Sequence, residues 1–369
     1  MNTIPLILLL AIFIPVFLMM MLTPYLTRKT ESFGVTIPEE VYSSKELKAM
    51  RKSYLISTGV LSFIVLLLFS ILGLTVANHE QTISILLTTG IALYLIVSFI
   101  IYLTFHRRMK ILKEKSDWAA NKSQQVFINT SFRNQRLNHS NYWFLFSFVI
   151  IIATIIITIQ LYSLIPEQIP MQYNFAGEVT NWVDKSYRSV LSMPIMQLYL
   201  MLLFLFINTM IAKAKQQINA EKPEESMHQN VIFRRRWSLY IIVTGTLLTI
   251  MFSFIQLSFI YPINQQLLTI IPLLFSFIMI IWAIVLSITT GQGGSRVKGK
   301  FGKNGNVIDR DDDKYWKLGQ FYFNKDDPAF MLEKRFGVGW TINYARPLAW
   351  IILLAIIGLA IGIPLLLGI

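Results

Sequence analysis

Few residues in this chain of 369 stand at the spacings that catalysis or metal binding requires. The nearest to a phosphate cradle is Gly294-Ser-Arg-Val-Lys-Gly299-Lys300. Such a loop follows a sheet strand, wraps backbone N–H groups around the anion and sends a Ser or Thr hydroxyl to magnesium. Here Phe301 takes the hydroxyl position and an apolar span precedes the glycines. With Gly291, Gly293, Gly302 and Gly305 nearby, a flexible basic linker is expected instead. Asp309, Asp311 and Asp313 alternate as calcium-loop ligands do, but Lys314 and Gln320 occupy the places reserved for Gly and Glu. A solvated acidic loop is the expectation there. His79, His106, His139 and His228 fall in separate segments, and the chain has no cysteine, so no zinc cluster is expected. Glu167 and Glu178 are a carboxylate pair of the kind that does acid–base work, but nothing in the sequence positions them. Neither G-x-S-x-G nor H-E-x-x-H occurs. The expectation is a protein that is not an enzyme, with no catalytic residues, no metal and no cofactor.

Composition explains why the chemistry is sparse. The chain is 54% hydrophobic and 14% charged, against roughly 25% charged for soluble domains. An apolar run needs roughly 20 residues to cross a bilayer core. Eight runs reach that scale: Ile4–Leu22, Tyr54–Ala77, Ser84–Phe105, Tyr142–Tyr162, Leu191–Ile211, Leu239–Ile260, Leu267–Ser287 and Leu348–Leu367. The fold class read from them is an all-α integral membrane protein of about eight transmembrane helices. It carries one structured extracellular loop and a small cytoplasmic aromatic/β module before the last helix.

Lys and Arg set the orientation. Segments 23–53, 106–141, 212–238 and 288–347 hold 31 of the 33, and the alternate segments hold only Lys185 and Arg188. The basic segments therefore face the cytoplasm and both termini lie outside. The net charge of +13 is then a topology signal that also suits anionic lipid, and not a footprint for nucleic acid. The opening MNTIPLILLL lacks a basic leader and is read as a retained first span. The chain divides into 1–141 (three spans with basic loops), 142–211 (a helix hairpin bearing the arm 163–190), 212–290 (a second hairpin), 291–347 (linker and aromatic module) and 348–369 (the last span).

Outside the membrane, Pro166 and Pro170 push the chain into extended conformation. The run Tyr173–Phe175 then meets Ala176-Gly177-Glu178, a turn signal. The arm leaves one span, turns and returns, either as a binding surface or as a rigid connector. As a surface, its contact residues are Tyr173, Asn174, Gly177, Glu178, Trp182 and Lys185. On the other face, 315–347 is dense in aromatics, with a turn at Asn324–Pro328 and Gly337 and Gly339 between two strand-like runs. It is read as a small two- or three-stranded module packed at the membrane, or as a platform for another protein. Its candidate residues are Trp316, Gly319, Tyr322, Asn324, Asp327, Gly337, Gly339, Trp340 and Asn343.

No span contains Asp, Glu, Lys, Arg or His, which argues against proton-coupled transport. Gln160, Gln197, Asn208 and Gln256 are expected to bond between helices. Gly358 and Gly362 form a lone GxxxG.

Three stretches together resemble a known bacterial membrane-protein family. Residues Thr23 to Glu40, TPYLTRKTESFGVTIPEE, look like the opening of proteins that bear the domain of unknown function sixteen-forty-eight. The segment Ile165–Ser186, with Asn174, Gly177-Glu178 and Lys185, looks like the core of that domain, and Asp313–Pro347 resembles the domain of unknown function fifty-eight-oh-eight that often accompanies it. The outer domain also occurs in proteins similar to the Sdp-type immunity proteins of Gram-positive bacteria, which protect against a secreted toxic peptide and hold a repressor at the membrane. Gln172 stands where that family often has His, and Thr180 where it often has Asp. The resemblance implies a plasma-membrane protein for peptide-toxin immunity or envelope signalling. Its expected partners are lipid, an extracellular peptide and a cytoplasmic protein. The alternative is a permease or an accessory subunit of a transporter.

Overall fold

Lipid gives a backbone amide no partner outside its own segment, so long apolar runs must close their hydrogen bonds as helices. A computed structural model describes residues 4–75, 80–116, 118, 123–125, 135–173, 178–297, 307–309 and 311–368 of the chain. Its helices are α1 Ile4–Leu26, α2 Lys45–Thr75, α3 Glu80–Lys115, α4 Phe144–Gln160, a short α5 Tyr187–Val190, α6 Ser192–Lys213, α7 Pro223–Leu257, α8 Gln265–Thr290 and α9 Pro347–Leu367. Each of the eight apolar runs lies largely within one of the eight long helices. Among the described residues, seven (α2, α3, α4 and α6–α9) are long and apolar enough to cross a membrane. α1 itself has 23 residues and carries no charged side chain.

Several helices outrun the hydrophobic stretch that announces them. α2 begins nine residues before Tyr54 and α3 runs ten residues beyond Phe105. With 31 residues, α2 is about 46 Å long at about 1.5 Å per residue, well beyond the bilayer core. Hydropathy marks where lipid ends, whereas a helix continues until a cap or proline stops it. α7 likewise starts at Pro223, whose missing N–H costs nothing in a first turn, and Glu224 and Glu225 there complement the helix dipole.

Among the described residues there are also ten short strands: β1 Glu31–Ser32, β2 Val35–Thr36, β3 Ser123–Gln125, β4 Gln168–Tyr173, β5 Val179–Asp184, β6 Val307–Asp309, β7 Trp316–Lys317, β8 Phe321–Tyr322, β9 Met331–Glu333 and β10 Trp340–Ile342. They pair two by two, all antiparallel except β3 with β6. The expected extended arm and the expected module are thus β-hairpins.

The chain forms two compact units, one of 1–136, 214–234 and 281–349, the other of 137–213, 235–280 and 350–369. In the first, Phe13 and Phe17 of α1 stack with Phe69 and Tyr94, and the Ser62 hydroxyl is 3.0 Å from the Tyr94 hydroxyl. The β1–β2 turn then inserts Phe33 among Tyr54, Tyr102, Phe105 and Met109. Phe33 and Gly34 both have positive φ, as a two-residue hairpin turn demands. A Cβ on Gly34 would lie 2.4 Å from the Gly319 carbonyl oxygen, so two backbones meet where no side chain fits.

The second unit is held by a polar seam. Ser147 bonds Thr246 at 3.1 Å, Thr154 bonds Ser253 at 2.8 Å, and Gln256 donates to Thr158 at 3.2 Å. Partners advance together along both helices, so α4 and α7 run parallel. Gln197 of α6 joins by donating to the Thr249 carbonyl and to Ser253. Asn208 bonds the His139 carbonyl, Asn141 and Ser238. Gln197, Asn208 and Gln256 are therefore interhelical, as expected, while Gln160 is exposed. No atom lies within 4 Å of a Cβ added at Gly358 or Gly362, so the GxxxG face is open among the described residues.

Candidate binding surfaces

The β4–β5 hairpin is set up by its base. Ile169 is fully buried with Ile165, Val190 and Phe259, which ties β4 to the helix ends. Lys185 donates to the Ile165 carbonyl at 2.7 Å, lies over the Tyr162 ring and stands 3.6 Å from the Glu167 carboxylate. Its backbone N–H bonds the Glu167 carbonyl at 2.8 Å. Ser186 and Ser189 then form a capping box that starts α5. Each device spends side chains at the foot of the hairpin and leaves the strands a clean alternation. Along β5, Thr180, Trp182 and Asp184 point outward and Val179, Asn181 and Val183 are half-buried. Trp182, 52% exposed, stands opposite Pro170.

Of the residues expected here, Trp182 and Glu178 are exposed, Tyr173 is half-buried at the end of β4, and Lys185 is the staple at the base. Asn174 and Gly177 lie outside the described residues.

The C-terminal module is built around amides and carboxylates that satisfy its own turns. Asn343, fully buried, accepts from the Asn324 N–H and donates to the Asn324 and Asp327 carbonyls. Asp327 accepts from the Tyr322 hydroxyl at 2.8 Å and from Lys215 at 2.6 Å. Burial works against ionisation of Asp327, and these donors with the Ala329 N–H outweigh it and hold its carboxyl below the usual range. Trp316 and Tyr322 are buried against each other. Gly337 and Gly339 have positive φ and shape the β9–β10 connection, and Trp340 packs on Phe233. Gly319 approaches Tyr102 and His106 so closely that a Cβ would be 2.6 Å from both. All nine residues expected in this module therefore serve its internal architecture or its docking within the first unit.

Sequence reasoning passed over the charges that make that docking possible. Glu333, with no exposed surface, accepts from Arg28, from Asn230 at 2.6 Å and from Arg234 at 3.4 Å. Arg234 also donates to Asn230 and to the Ala214 carbonyl. Arg335 pairs with Asp312 and Asp313 and lies over the Trp316 ring at 5.0 Å. Lys113, at the end of α3, reaches Asp311 and Asp313, each at 2.7 Å. Burial opposes ionisation of Asp313, but Arg335 and Lys113 prevail and hold its carboxyl at about 2.

Two expectations are corrected by this cluster. The acidic run is not a solvated loop, because Asp312 and Asp313 neutralise a buried arginine. Nor do Gly291 to Gly294 begin a flexible linker. They form a buried turn in which Gln292 bonds the Lys334 carbonyl and both the N–H and carbonyl of Gly339. A Cβ on Gly293 would lie 2.4 Å from Arg28 and 2.6 Å from Glu333, so glycine there makes room for the pair. The remainder of the expected linker, 298–306, lies outside the described residues. One signal was available: Glu333 at the end of β9 and Arg335 just beyond it are a charged pair within an aromatic run, which asks where its counter-ions are.

All four basic segments contribute to this cluster, through Arg28, Lys113, Arg234 and the module. These residues thus meet within the first unit.

Residues 149–198 match the domain of unknown function DUF1648, and residues 325–350 match the family of unknown function DUF5808. The chain carries both domains named by the resemblance, with the second C-terminal. The first match spans most of α4, the β4–β5 hairpin and the start of α6, and the second runs from the Asn324 turn into α9. No curated protein and no solved structure matches the chain.

Proposed function

We propose that this multi-helix protein is a non-enzymatic, eight-span component of a bacterial plasma membrane that receives an extracellular peptide on the β4–β5 hairpin, in peptide-toxin immunity or envelope signalling. Both termini lie outside in this reading, and the C-terminal module faces the cytoplasm, where it meets a protein partner. The observation that carries it is the hairpin. Its base is fixed by Ile169, Lys185 and the Ser186 cap, while Trp182 and a two-stranded sheet with unpaired edges stay open. A preformed strand edge accepts an extended peptide through main-chain hydrogen bonds, and a neighbouring indole supplies a rigid anchor. Deleting the protein is expected to sensitise cells to a secreted peptide. Removing residues 166–185 should do the same while the shortened chain still inserts. Normal tolerance in cells bearing the trimmed protein would refute the reading.

The polar seam of the second unit favours a second reading, a permease or an accessory subunit of a transporter. Buried acceptors there, Gln197 Oε1 and Gln256 Oε1, lack hydrogen-bond partners among the described residues. Solute flux in vesicles that contain this chain alone would favour it over peptide reception.

A further inference from the structure

The first unit encloses a cleft of about 300 Å³, lined by Arg28, Glu31, Lys215, Asp309, Asp312 and Arg335 among others, with Tyr315, Tyr322 and Leu332 as its less polar wall. That is far more room than one water or a bare ion requires. The cations around it are already engaged. Arg28 is held by Glu333 and Gln217, Arg335 by Asp312 and Asp313, and Lys215 by Asp327. An anion would have to compete with a carboxylate for each of them.

The acids do not balance in the same way. Glu31 is only 7% exposed, and neither of its carboxylate oxygens is in an ion pair among the described residues. Its Oε2 is buried without a hydrogen-bond partner. Among the described residues Asp309 is hydrogen-bonded by neutral donors, the Ala220 N–H at 2.7 Å and Thr30, with Arg28 attracting it without an ion pair.

We propose that this cleft is a binding site for an organic cation, an ammonium or guanidinium group that pairs with Glu31 and Asp309 and rests against Tyr315 and Tyr322. A planar guanidinium can bond both carboxylates at once, and aromatic faces attract it further. The source is either a free small amine or the arginine side chain of a protein. The site lies wholly within the first unit and does not depend on the peptide reading of the hairpin.

Protonation tests the idea without any substitution. Glu31 faces Arg28 just before β1, Asp309 of β6, Asp312 after it and Arg335 of the module. Burial pushes its carboxyl up to about 7, with those arginines opposing. A bound cation favours the carboxylate, so binding near neutrality must release a proton. Calorimetry on the full chain in lipid nanodiscs is the experiment, with agmatine as the free cation, a short peptide bearing one arginine, and phosphate as the anionic control. Agmatine is expected to bind saturably at about pH 6.5, with a proton-release signal across buffers that fades at about pH 8.5. Glu31→Gln should weaken binding by at least about tenfold and Asp309→Asn several-fold. Binding of the peptide alone would support the proposal and name a protein as the source. Failure of both cations, unchanged affinity in Glu31→Gln, or saturable phosphate binding in place of the cations would overturn it.

Discussion

Glu31→Gln should stabilise this protein, and by an amount that depends on pH. The side chain keeps its shape and loses a charge that the fold holds at a cost. Burial raises the folded-state carboxyl from 4.5 to about 7, against a weaker pull from Arg28 and Arg335. An acid whose folded value is raised binds its proton more tightly in the folded state. Stability therefore falls as pH rises from the unfolded value to the folded one and is level above it. At about 1.4 kcal/mol per unit, the cost at pH 8 is about 3 kcal/mol, and at pH 5 it is under about 1 kcal/mol. Removing the carboxylate recovers that difference, from which the pull of the two arginines has already been deducted. Thermal unfolding of purified protein in detergent, followed by tryptophan fluorescence for wild type and variant at both pH values, makes the comparison. The variant should melt higher at pH 8 and nearly level with wild type at pH 5. Equal or lower stability at pH 8 would show that Glu31 is ionised and well paired, and would remove the basis for a cation site. A residue kept at a cost to stability is what a binding site predicts.

Other perturbations probe the rest of the architecture. Arg335→Met leaves Asp312 without its cation and Asp313 with Lys113 alone, and should cost about 1.5–2 kcal/mol, read as a lower melting temperature; because Asp313 is held at about 2, its share of that pairing is present above its usual value of 3.8 and is lost as pH falls towards 2. Gly34→Ala drives a Cβ into the Gly319 carbonyl from a positive-φ position and should destabilise by about 2–3 kcal/mol, with faster proteolysis of the C-terminal module as the check. Gln197→Leu removes two interhelical hydrogen bonds but leaves Ser253 bonded to Thr154, so a loss of about 1 kcal/mol or less is expected; a far larger loss would mean that the seam is more than packing. A single cysteine at Asn181 should react with a membrane-impermeant thiol reagent in intact cells, and one at Asn304 should not, which tests the orientation behind the functional proposal.

The long helices were legible because lipid punishes an unpaired amide so severely that twenty apolar residues admit one solution. The two hairpins were legible for a related reason: proline, glycine and alternating aromatics are local instructions, and β4–β5 and β9–β10 follow them. Lys and Arg counts grouped four segments on one side, and those segments do converge on one cluster. None of that information says which charge meets which. Arg28 and Glu333 are 305 residues apart, and neither carries a mark in the sequence that distinguishes a buried partner from a solvated side chain. The acidic run reads as solvated until Arg335 is seen beneath it. Gly293 reads as flexible until Arg28 and Glu333 fill the place of its side chain. Patterns fixed by solvent are written residue by residue, and the chain alone specifies them. Pairing of buried charges depends on which elements come to share a dry interior, and only the folded chain decides that, among the described residues, Glu31 forms no ion pair.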